Sequence, residues 1–132
     1  MTRRVLMPAA VRAAAERLRM SPGIVSGHLI FLTGATGGDA QGQMPADLDI
    51  QFRNVFGKIG AVLAEAGLDF GAIVEMTSYH VGLRDHFDRF DAVRLACLRE
   101  PWPAWTAVEV AGLRREGAVV EVRVVASLDP DN

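Results

Sequence analysis

The sequence has 132 residues, half of them hydrophobic, and its 14 basic and 16 acidic side chains give a net charge of −2. A chain of this length forms one domain, 1–132, and buries a core without disulfides or metal ions. Basic residues are scattered, which argues against nucleic-acid binding through the phosphate backbone. No segment approaches the roughly 20 apolar residues of a membrane span. The start has no continuous apolar region of a signal peptide, so we expect a cytoplasmic protein that does not bind membranes.

Residue spacing predicts the elements in chain order. The first 20 residues read as an N-terminal extension. In residues 45–67, apolar residues recur every three or four positions, which is typical of an amphipathic helix. The predicted elements are a short helix at 8–20, a hairpin at 24–33, a glycine-rich loop at 34–42, a helix at 45–67, a strand at 72–81, a helix at 85–99 and strands at 104–111 and 118–126. The order β-β-α-β-α-β-β indicates an α+β domain with both helices on one face of a mixed sheet.

No metal or cofactor site is predicted. Cys97 is the only cysteine, and its helical context indicates a core residue because nothing nearby would activate the thiol. The three histidines match no common metal spacing, so packing or surface roles are expected. The glycines at 34–42 carry no phosphate-loop motif.

The last two strands carry charged residues on one face. If these strands form a hairpin, their valine faces coincide, and Trp105, Glu109, Glu121 and Arg123 share the opposite face. That face meets solvent or another subunit, because charges beneath an apolar helix are costly. It is either a solvated surface with a Glu121–Arg123 or Glu109–Arg123 ion pair, or a polar cleft with a general acid or base. Trp105 favours an interface or pocket, but the pattern alone does not decide.

Three segments resemble the RidA/YjgF family, whose members are also labelled endoribonuclease L-PSP. They are PAWTAVEVA at 103–111, GHLIFLTG at 27–34 and VGLRDHF at 81–87, within a match that runs from about 22 to 126. The resemblance implies a chorismate-mutase-like fold and a homotrimer whose sheets form a central barrel, with a small-molecule cleft at each subunit boundary. It also implies hydrolysis of enamines and imines such as 2-aminoacrylate to 2-keto acids and ammonia, without a cofactor.

The resemblance also assigns the candidate catalytic residue. Glu121 matches the acid that positions water in the family. Trp105 stands where the family has an arginine that binds the substrate carboxylate, and an indole has one N–H donor and no charge. Arg123, where the family often has an acid, is a possible relocated cation. Ala107 follows Trp105 on the same strand face and is included among the substrate-binding candidates.

Three further positions match the family's cleft. Thr33 keeps a hydroxyl that the family has before a glycine. Met20 falls near the position of a tyrosine, and Asp91 falls at that of an asparagine.

Three functions remain open from the sequence. The first is a divergent RidA-like protein that binds or hydrolyses a small C=N or carbonyl compound in a cleft lined by Trp105. The second is the classical 2-imino acid deaminase with a relocated arginine. The third is a trimer without enzymatic activity that binds a ligand or acts like a chaperone.

Overall fold

The computed structural model describes residues 3–129. The strands are β1 (Arg4–Leu6), β2 (Gly23–Ser26), β3 (Leu29–Leu32), β4 (Ile73–His80), β5 (Ala104–Glu109) and β6 (Val120–Ser127). The helices are α1 (Arg12–Leu18), α2 (Leu48–Ala64) and α3 (Leu83–Cys97). The six strands form one mixed sheet in the order β1-β2-β3-β6-β4-β5. The α+β class and the predicted helices are confirmed, whereas β1 was not predicted.

Side-chain carboxylates accept hydrogen bonds from free backbone N–H groups at the start of both long helices. Asp47 accepts hydrogen bonds from the backbone N–H groups of Asp49 and Ile50 and so caps α2, which satisfies donors that a helix start leaves unpaired. At α3, the N–H of Leu83 donates to the Glu109 carboxylate at 3.0 Å. Glu109 ends β5, so this bond ties the start of α3 to the edge strand.

The core lies between α2, α3 and one face of the sheet. Alternate side chains of β6 point into it, and the apolar stripe of α2 covers them. The fully buried members include Val120, Val122, Ile30, Phe52, Val55, Leu63 and Phe90. A stripe of this width provides most of a helix's stability in a small domain, because isolated helices of this length are marginal in water.

The predicted hairpin between the last two strands is wrong. β4 lies between them: β5 pairs with β4 in parallel, and β6 pairs with β4 antiparallel. The chain after β5 therefore crosses β4 before it returns as β6. The alternation of side chains assigns each residue of a strand to one of two faces, but it does not show which strands are neighbours. The sequence pattern therefore could not exclude a sheet in which β4 lies between β5 and β6.

The observed strand order changes which residues share a face of the sheet. Trp105 is aligned with Met76 and Val124, so its side chain lies on the helix-covered face of the sheet. Glu121 is aligned with Tyr79 and lies on the opposite face. The prediction that Trp105 and Glu121 share one face is wrong within a single chain. The large indole of Trp105 and the small side chain of Ala107 both fit beneath α3. The charged Glu109 lies at the end of β5, where its carboxylate accepts a hydrogen bond from the N–H of Leu83.

Candidate functional site

Glu121 lies against the backbone of Gly34. Ala35 and Val122 exchange two backbone hydrogen bonds, at 2.9 and 3.0 Å, which draw the start of the glycine-rich loop onto β6. The Glu121 carboxylate occupies the space that a side chain at Gly34 would fill. A glycine at residue 34 leaves room for this carboxylate, because a Cβ there would collide with the Glu121 side chain and displace it.

The Glu121 carboxylate has no hydrogen-bond or ion-pair partner among residues 3–129. Glu121 is half-buried, and no buried polar side-chain atom in this part of the chain is left unpaired. Its oxygens are therefore accessible to water. Arg123 lies two residues along the same strand face, yet the two side chains form no ion pair in the described structure. The predicted Glu121–Arg123 and Glu109–Arg123 pairs are both wrong, the latter because Glu109 lies on the other face.

Thr33 and Met20 lie beside the start of this loop. The hydroxyl of Thr33 donates to the carbonyl of Ser21 at 2.7 Å. Arg19 ends α1 in the left-handed conformation with φ 57°, and the N–H of Met20 then donates to the carbonyl of Ala15. These bonds hold the segment after α1 next to Thr33, whose neighbour Gly34 contacts Glu121. Thr33 is therefore adjacent in the chain to the residue that Glu121 approaches, its hydroxyl proton is already donated to Ser21, and Met20 lies one residue before Ser21.

Trp105 is anchored beneath α3. Its indole N–H donates to the hydroxyl of Ser78 at 2.9 Å, and its ring stacks on Phe87 with the centroids 5.7 Å apart and the planes at 6°. The only donor of the side chain is thus used inside the protein. Trp105 can present only its ring to a ligand.

A second cluster surrounds Trp105 and contains Asp91. The guanidinium carbon of Arg94 lies 4.3 Å from the centroid of the Trp105 ring and 5.9 Å from that of Trp102. Nε and Nη2 of Arg94 both donate to Oδ1 of Asp91, at 2.8 and 2.7 Å. Asp91 therefore positions Arg94, while Ala107 is half-buried on the same strand face as Trp105. Sequence reasoning missed Arg94 and Trp102, although the three-residue spacing of Asp91 and Arg94 is that of a helical ion pair.

A buried chain of hydrogen bonds continues from Trp105. The hydroxyl of Ser78 lies 2.8 Å from Nε2 of His80, and Nδ1 of His80 lies 3.0 Å from Nε2 of His86. His80 is fully buried and His86 is 5 % exposed. Burial, reinforced by the neighbouring His86, lowers the pKa of His80 to about 4. Burial also lowers the pKa of His86, which Asp85 partly counteracts and Arg89 reinforces.

The predicted site residues thus form two clusters. The Glu121 cluster contains Arg123 on the same strand face and Thr33, which precedes Gly34. Met20 lies outside it, one residue before the Ser21 carbonyl that Thr33 binds. The Trp105 cluster contains Asp91, Ala107 and the newly identified Arg94. Trp105 and Glu121 are three residues apart along the strand direction, which is roughly 10 Å. They are also two strands apart across the sheet, which is again roughly 10 Å. Their side chains also point to opposite sides of the sheet.

Neither a metal centre nor a membrane span is found in residues 3–129. No group of three or more metal-binding side chains converges in this range. None of its helices is both long and apolar enough to cross a bilayer.

Comparison with known proteins identifies the family. The model of the family described as endoribonuclease L-PSP matches residues 10–128. The RutC family protein YjgH of Escherichia coli K12 is 32 % identical over 127 residues, which are 96 % of this chain and 95 % of that protein.

Similar solved structures support the same family. The structure of protein YjgH has a TM-score of 0.87 at 32 % identity and covers 96 % of this chain and 97 % of that one. RidA from an Antarctic Psychrobacter has a TM-score of 0.76 at 29 % identity, with 81 % and 86 % covered. E. coli TdcF with bound serine has a TM-score of 0.74 at 26 % identity, with 81 % and 86 % covered. The chain therefore belongs to the endoribonuclease L-PSP family, which is the RidA/YjgF family that its motifs resemble.

Proposed function

We propose that this protein hydrolyses the C=N bond of a small imine, with Glu121 as the general base, in a cleft between two copies of a homotrimer. The main support for this proposal is the environment of the Glu121 carboxylate. Glu121 is a half-buried carboxylate fixed against Gly34, with no protein partner in residues 3–129. A free carboxylate held in this way can accept a proton from a bound water molecule.

The reaction needs only water and this carboxylate. Water attacks the carbon of the C=N bond while Glu121 accepts one of its protons and returns it to the imine nitrogen, which gives a neutral tetrahedral carbinolamine. Glu121 then takes the hydroxyl proton as the C=O bond forms and passes it to the nitrogen, which leaves as ammonia when the C–N bond breaks. The products are one carbonyl compound and one ammonia, and Glu121 is regenerated.

A cleft between copies accounts for the two clusters. Because the Glu121 and Trp105 clusters lie on opposite faces of one sheet, a single site that uses both must take them from different copies. The face with Glu121 also carries a row of apolar side chains on three neighbouring strands, Val5, Ile24 and Phe31, of which Val5 is 46 % exposed. Burial of this row favours self-association through that face.

The relatives support a small, amino-acid-like ligand. TdcF has been solved with bound serine, and RidA is among the similar structures. The endoribonuclease label of the family gains little support here, since the chain has a net charge of −2 and no basic run. A trimer that only binds a ligand remains the alternative if hydrolysis fails.

The test is an imine-hydrolysis assay. Imines generated in solution from several amino acids by an amino-acid oxidase are supplied, and release of ammonia is compared with the rate in buffer. We expect acceleration by the wild-type protein and at least a 100-fold loss in Glu121→Gln. Glu75→Gln, an exposed acid on the same sheet face, is the matched control and should keep the activity.

Three results would overturn this proposal. The first is a Glu121→Gln variant that folds and hydrolyses imines as fast as the wild-type protein. The second is a wild-type protein that does not accelerate imine hydrolysis. The third is a molar mass in analytical ultracentrifugation that corresponds to a monomer at working concentrations, because the cleft then cannot form.

A further inference from the structure

We propose that Arg94 binds the carboxylate of an anionic substrate. It would supply from α3 the positive charge that the family motif places at the position of Trp105. The inference deepens the proposed function, on which it rests for the location of the site, and it assigns the residue that recognises an anionic substrate.

The position of Arg94 is the first argument. Its guanidinium carbon lies 4.3 Å above the Trp105 ring, a distance typical of a direct cation–π contact. A guanidinium on the side chain of residue 105 would occupy much of the volume of this indole. Arg94 therefore brings the same functional group to within about one side-chain thickness of that place.

The free donors of Arg94 are the second argument. A guanidinium has five N–H groups, and only one on Nε and one on Nη2 are used, both on Oδ1 of Asp91. Among residues 3–129, Nη1 has no acceptor, and no buried polar side-chain atom in this range is left unpaired. The edge formed by Nη1 and the remaining N–H of Nη2 therefore has no acceptor among residues 3–129 and can donate two parallel hydrogen bonds to a carboxylate.

Preorganisation is the third argument. The Arg94 side chain is only 13 % exposed, and that of Asp91 is 29 % exposed. Trp105 and the ion pair with Asp91 fix the guanidinium, so little conformational entropy remains to be lost when an anion binds. The aromatic walls also exclude water, which strengthens a charge-assisted hydrogen bond at the open edge.

The walls of this cluster indicate the size and shape of the ligand. Trp102 is 48 % exposed and lies 5.9 Å from the Arg94 guanidinium. A small planar molecule can rest against its ring while its carboxylate contacts Nη1. A 2-oxo or 2-imino acid fits because its carboxylate and the adjacent trigonal carbon lie close to one plane.

Arg123 is the competing cation. It lies on the face opposite Trp105 and forms no ion pair in the described residues. The two arginines are therefore separate hypotheses for the same role, and matched variants distinguish them.

Fluorescence provides a direct binding assay, because the only two tryptophans of the chain, Trp102 and Trp105, flank Arg94. The wild-type protein is titrated with pyruvate and with pyruvamide, a neutral molecule of the same shape. We expect pyruvate to bind at least 10-fold more tightly, as two charge-assisted hydrogen bonds predict. Arg94→Gln should reduce this preference to less than about 2-fold, whereas Arg123→Gln should leave it unchanged.

A second variant covers the case in which Arg94→Gln does not fold. Arg94→Lys keeps the charge but not the fixed pair of donors, so it should keep the preference for pyruvate and bind it about 5- to 10-fold more weakly. The proposal is overturned if wild-type protein does not prefer pyruvate, if folded Arg94→Gln keeps the preference, if Arg123→Gln loses it, or if Arg94→Lys binds pyruvate as tightly as the wild type.

The same titration separates this inference from the proposed function. Glu121→Gln should still bind pyruvate more tightly than pyruvamide, because Arg94 and not Glu121 contacts the carboxylate. If pyruvate binding depends on Arg94 but no imine is hydrolysed, only the proposed catalytic role fails. If imines are hydrolysed and Arg94→Gln binds pyruvate normally, only the role of Arg94 fails.

Discussion

The buried histidine pair predicts a loss of stability in mild acid. His80 is fully buried between Ser78 and His86, and its pKa is lowered to about 4 by burial and by His86. In the unfolded chain, a histidine has its ordinary pKa of about 6.5. Between these two values, the unfolded chain binds a proton at this position and the folded protein does not.

The sign and size of the effect follow from this difference. Stability falls as the pH drops wherever the unfolded state binds more protons, by about 1.4 kcal/mol per pH unit for one proton. From about pH 6.5 to pH 5, His80 alone therefore lowers the free energy of unfolding by about 2 kcal/mol. His86 acts in the same direction, because its pKa is also lowered.

Denaturant unfolding at fixed protein concentration tests this prediction at pH 7 and pH 5, where most carboxylates are still ionised. His80→Gln can keep a bond to Ser78 but cannot take up the proton, so its stability should fall by about 2 kcal/mol less than that of the wild type. His28→Gln is the control: the His28 side chain is 84 % exposed and its only ion pair in residues 3–129 is with Asp129. An exposed pair contributes at most about 1 kcal/mol, so this variant should follow the wild type more closely than His80→Gln does. The reasoning is refuted if His80→Gln and wild-type protein lose the same stability between the two pH values.

Three further variants probe other contacts, with denaturant unfolding as the measurement for each. Trp105→Phe removes the bond to Ser78 and should cost about 1–2 kcal/mol; no change would contradict the anchoring role of the indole. Gly34→Ala displaces the flexible end of Glu121, so it should cost less than about 1 kcal/mol yet reduce imine hydrolysis as severely as loss of the acid, and full activity would contradict this. Gln51→Leu removes three buried hydrogen bonds to backbone groups and should cost about 2–4 kcal/mol; a cost below about 1 kcal/mol would show that these bonds contribute little.

The helices were predictable because their signals are local. The apolar stripe of α2 repeats over several turns, and the capping residue Asp47 precedes it. The predicted ranges of both long helices differ from the observed ones by two or three residues at their ends, where fraying and capping make the boundary least distinct. β1 was missed because three residues provide too short a pattern, and its pairing with β2 is a tertiary contact.

The arrangement of the site was not predictable in the same way, because it depends on strand order. The valines at 108 and 110 suggested that the opposite face of β5 was the outer one. In the structure, Trp105 takes the inner position, and its polar atom is satisfied by Ser78, which a sequence pattern cannot show. The importance of Glu121 and Asp91 came from family motifs, whereas the role of Arg94 depends on a contact with Trp105 between a helix and a strand.

A mixing experiment tests whether the two clusters meet between copies. Glu121→Gln and Arg94→Gln should each be impaired alone, the first in catalysis and the second in substrate binding. If one copy of the proposed homotrimer supplies Glu121 and its neighbour supplies Arg94, random assembly from equal amounts of the two variants restores about one quarter of the sites. If both residues act within one copy, every site in the mixture carries a defect. The two variants are refolded together and assayed at a substrate concentration well below KM, with each variant refolded alone as the control. A mixture no more active than its components contradicts the shared cleft. Glu121 and Trp105 lie on opposite faces of the sheet, so only a second copy can bring the Trp105 cluster, with Arg94, to the acid.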